Sequence, residues 1–143
     1  MATPDQAVIY TDGACSGNPG PAGAGYVIAA PDGQILAEDA VAVGHGTNNI
    51  AEYTGAIAAL ERARELGLRT VIVRSDSELM CKQVWGQYRV KNPGIVKLHV
   101  RLRRAMEGFD SVQFEHVPRE KNERADALAR QGVEKSRKKA AAE

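Results

Sequence analysis

Four acidic residues stand where carboxylates are awkward for a soluble fold. Asp12 closes a short β-branched and aromatic run, Ala7–Thr11 (AVIYT), and Asp76 lies just beyond a second, Thr70–Arg74 (TVIVR). Glu52 falls in the first turn of a helix-periodic stretch, and Asp126 sits among the apolar positions of the last one. If the two runs are neighbouring strands, Asp12 and Asp76 emerge side by side at one sheet edge. The two helix starts can bring Glu52 and Asp126 to that edge. Carboxylates gathered in this way repel one another and stay ionised together only beside cations. An all-oxygen, hard donor set selects Mg²⁺ or Mn²⁺. Two such ions about 4 Å apart can clamp a phosphoryl group for in-line displacement, one activating water and the other stabilising the leaving oxygen.

Each acid also has a plainer reading. Asp12 precedes Gly13 and suits a turn, while Glu52, three after Asn49, suits a capping box. Asp76 can cap the next helix, and Asp126, four before Arg130, can form a helical ion pair. Taken singly, the plainer reading carries more weight. On spacing alone the quartet is a candidate metal site and no more.

The elements that must position these acids follow from periodicity and turn chemistry. Ala7–Thr11 reads as a strand, and the Gly-, Pro-, Ser- and Asn-rich stretch Gly13–Gly25 as a loop or a run of tight turns. Gly25–Ala30 and Gln34–Val43 read as two further strands joined at Pro31-Asp32-Gly33, making an antiparallel meander. Ile50, Tyr53, Ile57 and Leu60 recur at helical spacing up to a stop near Gly67. After the strand Thr70–Arg74, Ser75-Asp76-Ser77 can cap a helix through about Trp85. Pro93-Gly94 opens another, with Ile95, Leu98, Leu102 and Met106 on one face. Val112–Val117 is a last strand, and Asn122 can cap a final helix. The order β-β-β-α-β-α-α-β-α predicts an α/β fold with a mixed sheet and helices on its faces. Residues 1–134 are expected to form one domain, and the charged, alanine-rich residues 135–143 a flexible tail.

Composition narrows the class. The 143 residues suit one domain with a sizeable core, and 43% hydrophobic with 26% charged is ordinary for a globular protein. No apolar run approaches the roughly 20 residues of a membrane helix, and residues 1–6 lack the basic-then-apolar pattern of an export signal. Cys15 and Cys81 have no metal-type spacing and are expected as free thiols in the cytoplasm. Net charge is only +1, yet Arg89–Met106 holds six basic residues and no acidic one. That bias suits a phosphate-bearing partner or, equally, a solvated helix face.

The segments Tyr10-Thr11-Asp12-Gly13-Ala14-Cys15-Ser16-Gly17-Asn18-Pro19-Gly20, Thr47-Asn48-Asn49-Ile50-Ala51-Glu52 and Ser75-Asp76-Ser77, with His116 followed by Asn122-Glu123-Arg124-Ala125-Asp126, resemble the motifs of type 1 ribonuclease H. They stand in that family's order and span the chain from first strand to last helix. The resemblance implies a five-stranded mixed sheet in the order 3-2-1-4-5, its first three strands antiparallel. It implies that Asp12, Glu52, Asp76 and Asp126 bind two metal ions, with Asp12 bridging them. The implied reaction is endonucleolytic hydrolysis of the RNA strand of an RNA–DNA hybrid, leaving a 5′-phosphate and a 3′-hydroxyl. His116 matches a mobile histidine that assists proton transfer or product release. His45 and His99 match no role and are expected to be structural.

By the same resemblance, Cys15, Asn18, Asn48 and Asn49 contact the hybrid, reading 2′-hydroxyls, and Thr47 holds a DNA-strand phosphate. The 2′-hydroxyl donates and accepts, which an amide can match on both counts. No base-edge reader is evident, so sequence preference should be weak. Capping is the plainer role for Asn48 and Asn49. Many members of the family carry an extra basic helix after the fourth strand. Here Trp85–Gly94 runs directly into the next helix, as in a protrusion-less subgroup, and Arg101 and Arg104 of the basic stretch are expected to bind substrate in its place. Core packing is the expected role of Trp85. Glu78, two after Asp76, stands where some relatives place an amide. The pattern also resembles the amino-terminal domain of certain bacterial two-domain proteins whose second domain is phosphatase-like. A monomer with a covalently linked partner domain would fit that pattern.

Two other classes remain to be told apart. An integrase- or resolvase-like DNA nuclease would share the acids but lack the Asp12–Gly20 loop and the Thr47-Asn48-Asn49 run. A hybrid-binding module without catalysis would be marked by a lost carboxylate.

Overall fold

The structure, a computed structural model, describes residues 5–142. Nine elements follow in order: β1 (Gln6–Cys15), β2 (Gly20–Ala29), β3 (Ile35–Gly46), α1 (Asn48–Glu65), β4 (Thr70–Ser75), α2 (Glu78–Val84), α3 (Pro93–Met106), β5 (Ser111–His116) and α4 (Glu123–Ala142). A single 3-10 turn, Arg119–Lys121, precedes α4. The five strands form one mixed sheet in the order β3-β2-β1-β4-β5, as expected. β1 pairs antiparallel with β2 and parallel with β4, which pairs parallel with β5.

Strand alternation decides which side chains meet the helices. Ile9, Val71 and Val73 point to the face covered by α1 and α3 and pack with Tyr53, Leu60 and Leu102, all fully buried. On the other face α4 crosses β1, β2 and β3. Among the described residues, no helix is long and apolar enough to cross a membrane.

Strand extents depart from expectation in the glycine-rich stretch. β1 runs on to Cys15 and β2 begins at Gly20, so only Ser16–Pro19 turns. Its glycines mark close approach rather than bending, and none of Gly13, Gly23 and Gly25 has a positive φ. A Cβ on Gly23 would lie 2.2 Å from the Val133 amide nitrogen, one on Gly25 2.5 Å from the Ala125 oxygen, and one on Gly13 2.5 Å from the Glu52 nitrogen. Helices α1 and α4 thus lie directly on backbone, which only glycine permits.

The caps also differ. Thr47 Oγ1 accepts from the Ile50 N–H at 3.2 Å, so Thr47 caps α1, not Asn49 or Asn48. Ser77 Oγ accepts from the Met80 N–H at 3.2 Å and caps α2, which relieves Asp76 of that duty. The Asn122 side chain does not cap α4 but reaches into the sheet. Nor is 135–142 a frayed tail: α4 continues through Ala142, and Ser136 is buried. Glu143 lies outside the described residues. Trp85 is 44% exposed rather than in the core, and its indole N–H donates to the Phe114 carbonyl at 3.1 Å.

Candidate active site

The junction of β1 with β4 carries the acids. Thr11 and Ser75 are the last pair in the parallel register of β1 with β4, so Asp12 and Asp76 stand side by side just beyond it. Glu52 comes from the first turns of α1, laid over Gly13. Carboxylate oxygens of Asp12, Glu52 and Asp76 all lie within 4.8 Å of one another. Asp126, at the start of α4, lines the same cleft and adds to the raised pKa of Asp12. All four line one open cleft of about 830 Å³.

The electrostatics follow from enclosure. Asp12 is 4% exposed and Glu52 8%. Burial, then the charge of Asp76, pushes Asp12 up to about 8, although the Gly13 N–H donates to its Oδ1 at 2.9 Å. Burial, then Asp12 and Asp76, pushes Glu52 well above the usual carboxylate range. The Cys81 thiol beneath them is raised to about 11, by burial first and then by Glu52 and Asp76. Glu52 Oε2 is buried without a hydrogen-bond partner among the described residues. A buried, unpartnered carboxylate oxygen facing two other carboxylates is costly unless a cation joins them. An all-oxygen donor set of this kind fits a hard divalent cation.

The remaining predicted residues divide. His116 ends β5 exposed at the cleft wall, paired in register with Ser75. Cys15 lines the cleft, its thiol directed at the carbonyls of Gly17 and, at 3.1 Å, Gly46. Asn18 Oδ1 accepts from the Asn48 N–H at 3.2 Å, joining the Ser16–Pro19 turn to α1. Asn48 also lines the cleft, and Thr47 and Asn49 flank it in the chain. Glu78 stands apart from the acids in a 2.6 Å ion pair with Lys82, which holds its carboxyl below the usual range. His99 packs beside Tyr53 with ring centroids 6.3 Å apart.

Arg101 and Arg104 are not brought to the cleft. They line a separate depression with Ile57, Glu61 and Arg64, five to twelve residues along α1 from Glu52. Arg103 donates to the Val84 carbonyl at 2.5 Å. The cleft itself holds Arg119 and Arg130, neither of which the motifs assign to substrate binding. Arg130 was visible only as the i+4 partner of Asp126, and the 3.0 Å pair is present. Its side chain, two-thirds exposed, opens on the cleft.

Comparison with known proteins sets the class first: the family model described as reverse transcriptase-like matches residues 10–132. A ribonuclease HI of Halobacterium salinarum is 46% identical over 125 residues, 87% of this chain and 63% of that protein. The bifunctional protein Rv2228c of Mycobacterium tuberculosis is 42% identical over 137 residues, 95% of this chain and 38% of that one. Its N-terminal RNase H domain, solved as a fusion with maltose-binding protein, superposes with a TM-score of 0.90 at 40% identity, covering 94% of this chain and 98% of that one. LC11-RNase H1, solved in complex with an RNA/DNA hybrid, gives a TM-score of 0.86 at 40% identity, covering 91% and 98%. The chain belongs to the ribonuclease H family. It spans only 63% and 38% of the Halobacterium and mycobacterial proteins.

Proposed function

We propose that this domain hydrolyses the RNA strand of RNA–DNA hybrids with divalent metal ions, Mg²⁺ by preference and Mn²⁺ in its place, leaving 5′-phosphate and 3′-hydroxyl ends. The observation that carries the reading is the meeting of Asp12, Glu52 and Asp76 within 4.8 Å, with Glu52 Oε2 unpartnered among the described residues. LC11-RNase H1, a relative of the same fold solved in complex with an RNA/DNA hybrid, supports the substrate class. Asp12, Glu52, Asp76 and Asp126 would hold the ions, which when bound supply a nucleophile at neutral pH and stabilise charge on the scissile phosphate.

The chain's own groups do the rest. Burial keeps bulk water from the carboxylates of Asp12 and Glu52 and fixes their direction. The His116 imidazole, exposed at the wall, can take a proton at a ring nitrogen and carry it to solvent. Asn48 and Asn49 can read 2′-hydroxyls, since Thr47 rather than either amide caps α1, and Asn18, whose Oδ1 accepts from the Asn48 N–H, keeps its Nδ2 for the same use. Arg119 and Arg130 can meet backbone phosphates. Two free thiols, Cys15 and Cys81, suit the cytoplasm.

The test is cleavage of a labelled hybrid beside matched RNA duplex, DNA duplex and single strands, with Mg²⁺, Mn²⁺ or chelator. Cutting of the RNA strand of the hybrid alone, lost in chelator, is the expected result. Equal cutting of DNA duplex would turn the reading to a DNA nuclease. Hybrid binding without cutting would turn it to a binding module.

A further inference from the structure

The last turns of α4 hold one lip of the cleft. The turn Ser16–Pro19 has few bonds of its own and is held from two sides. From α1, the Asn48 N–H donates to Asn18 Oδ1 at 3.2 Å. From α4, the Arg137 guanidinium donates through Nη2 to Ser16 Oγ and through Nη1 to Glu134 Oε1, the latter at 2.6 Å. Ser16 and Glu134 both line the cleft.

The helical turn that presents Arg137 is itself anchored. Ser136, 4% exposed, donates to the Ala22 carbonyl at 2.6 Å and accepts from the Gly44 N–H at 2.9 Å. Lys135 Nζ donates to the Ala40 carbonyl at 2.6 Å. Three consecutive residues thus reach three places: the β3 strand, the β2–β3 rim and the substrate-side turn.

We propose that Arg137 is a positioning residue for hybrid recognition, fixing the Ser16–Pro19 turn so that Cys15 and Asn18 meet the substrate as a pre-ordered surface. This rests on the hybrid-cleaving reading above. A guanidinium suits the task because its planar fork serves two acceptors at once, which an ammonium does not reproduce. Ordering the turn before binding removes part of the entropy cost of association. Arg137 bonds to none of the four acids, so its effect falls on KM and binding rather than on kcat.

The experiment measures binding of a fluorescein-labelled RNA–DNA hybrid by anisotropy in an Asp12→Asn background. The proteins are this parent, Ser16→Ala, Arg137→Ala, Arg137→Lys and the Ser16→Ala/Arg137→Ala double. Each single variant should bind about tenfold more weakly, and the double no more weakly than either, because the two side chains act through one contact. In the otherwise unchanged chain, the same substitutions should raise KM by a similar factor and leave kcat at saturating hybrid unaltered. The salt dependence of binding should keep its slope. If Ser16→Ala binds like the parent while Arg137→Ala lowers the slope by about one, Arg137 is a direct phosphate contact and the proposal is overturned. Additive losses, or none, overturn it as well. A parent that binds hybrid no tighter than DNA duplex would instead bring down the underlying functional reading, and this inference with it.

Discussion

Asn122 Nδ2 donates a 2.7 Å hydrogen bond to the carbonyl of Thr11, the residue that precedes Asp12. The amide is 1% exposed and spans 111 positions of sequence. It fastens the start of α4 to the middle of β1, and so sets Asp126 beside Asp12. Asn122→Ala leaves the Thr11 carbonyl buried without this donor, at a cost of about 1–3 kcal/mol. Denaturant unfolding should show that loss. Metal titration of the folded variant should show weaker binding, although all four carboxylates remain. Unaltered metal affinity would mean that α4 finds its place without the tether.

Asp12→Asn should abolish hybrid cleavage while keeping the fold. A second consequence concerns pH. Asp12 rises from 3.8 to about 8 in the folded, metal-free protein. Between those values the native site holds a proton that the unfolded chain has released, so this group makes stability fall as pH rises through that window. The contribution is lost in Asp12→Asn. In chelator, the variant should therefore gain stability relative to the parent as pH goes from about 5 to 8, on the order of 1–2 kcal/mol after solvent relaxation. A parallel pair of stability–pH curves would contradict the assignment. Added Mg²⁺ should narrow the gap, because it stabilises only the parent's charged site.

Gly25→Ala should destabilise far more than an ordinary strand substitution. Its Cβ would meet the Ala125 oxygen at 2.5 Å and the Ala129 nitrogen at 2.6 Å, both backbone atoms of α4. Backbone cannot step aside as a side chain can, and α4 must lift from the sheet. Overpacking of this kind costs roughly 1–3 kcal/mol or more. Gly33→Ala is the control, since no atom lies within 4 Å of its Cβ, although its φ of 93° adds strain of its own. Thermal melts of both variants distinguish loss of close approach from loss of turn freedom.

Charge neutralisation should separate two groups of arginines. Arg119→Ala with Arg130→Ala should weaken hybrid binding and lower its salt slope by about two, one per phosphate contact. Arg101→Ala with Arg104→Ala should change the slope less, because those side chains line a depression apart from the cleft. Equal slopes from the two pairs would show that bound hybrid reaches both surfaces.

Local chemistry was legible where it is written locally. The strand runs and the helix beginning beside Ile50 follow from periodicity and turn residues, and the order of the sheet from the resemblance to type 1 ribonuclease H. The acid cluster was legible as a possibility of topology, since Asp12 and Asp76 each follow a short β-branched run, Ala7–Thr11 and Thr70–Arg74. What misled was residue type without its neighbours. Gly13, Gly23 and Gly25 were read as turn formers because nothing in the sequence says that α1 and α4 rest on them. Thr47 rather than Asn49 caps α1, a shift of two residues that leaves the amides free. Arg101 and Arg104 drew attention by density of charge, which does not say on which side of α1 a helix lies. The role of residues 135–137 was hidden because bonds to Ala40, Ala22 and Ser16 cross about 95 to 121 positions of sequence.

The central place of β1 bears on the order in which the molecule can become itself. Its partner β4 lies about sixty positions later, and the helix bringing the fourth carboxylate comes last. Contacts of such separation close slowly, after local helices and the β1–β2–β3 meander have formed. A growing chain that has emerged only as far as β4 holds two of the four acids, Asp12 and Glu52, and lacks Asp76, Asp126 and the arginines of α4. On the proposed reading, strand cutting would be withheld from every partly made or partly folded copy, and activity in a sample would count the molecules whose last helix has docked.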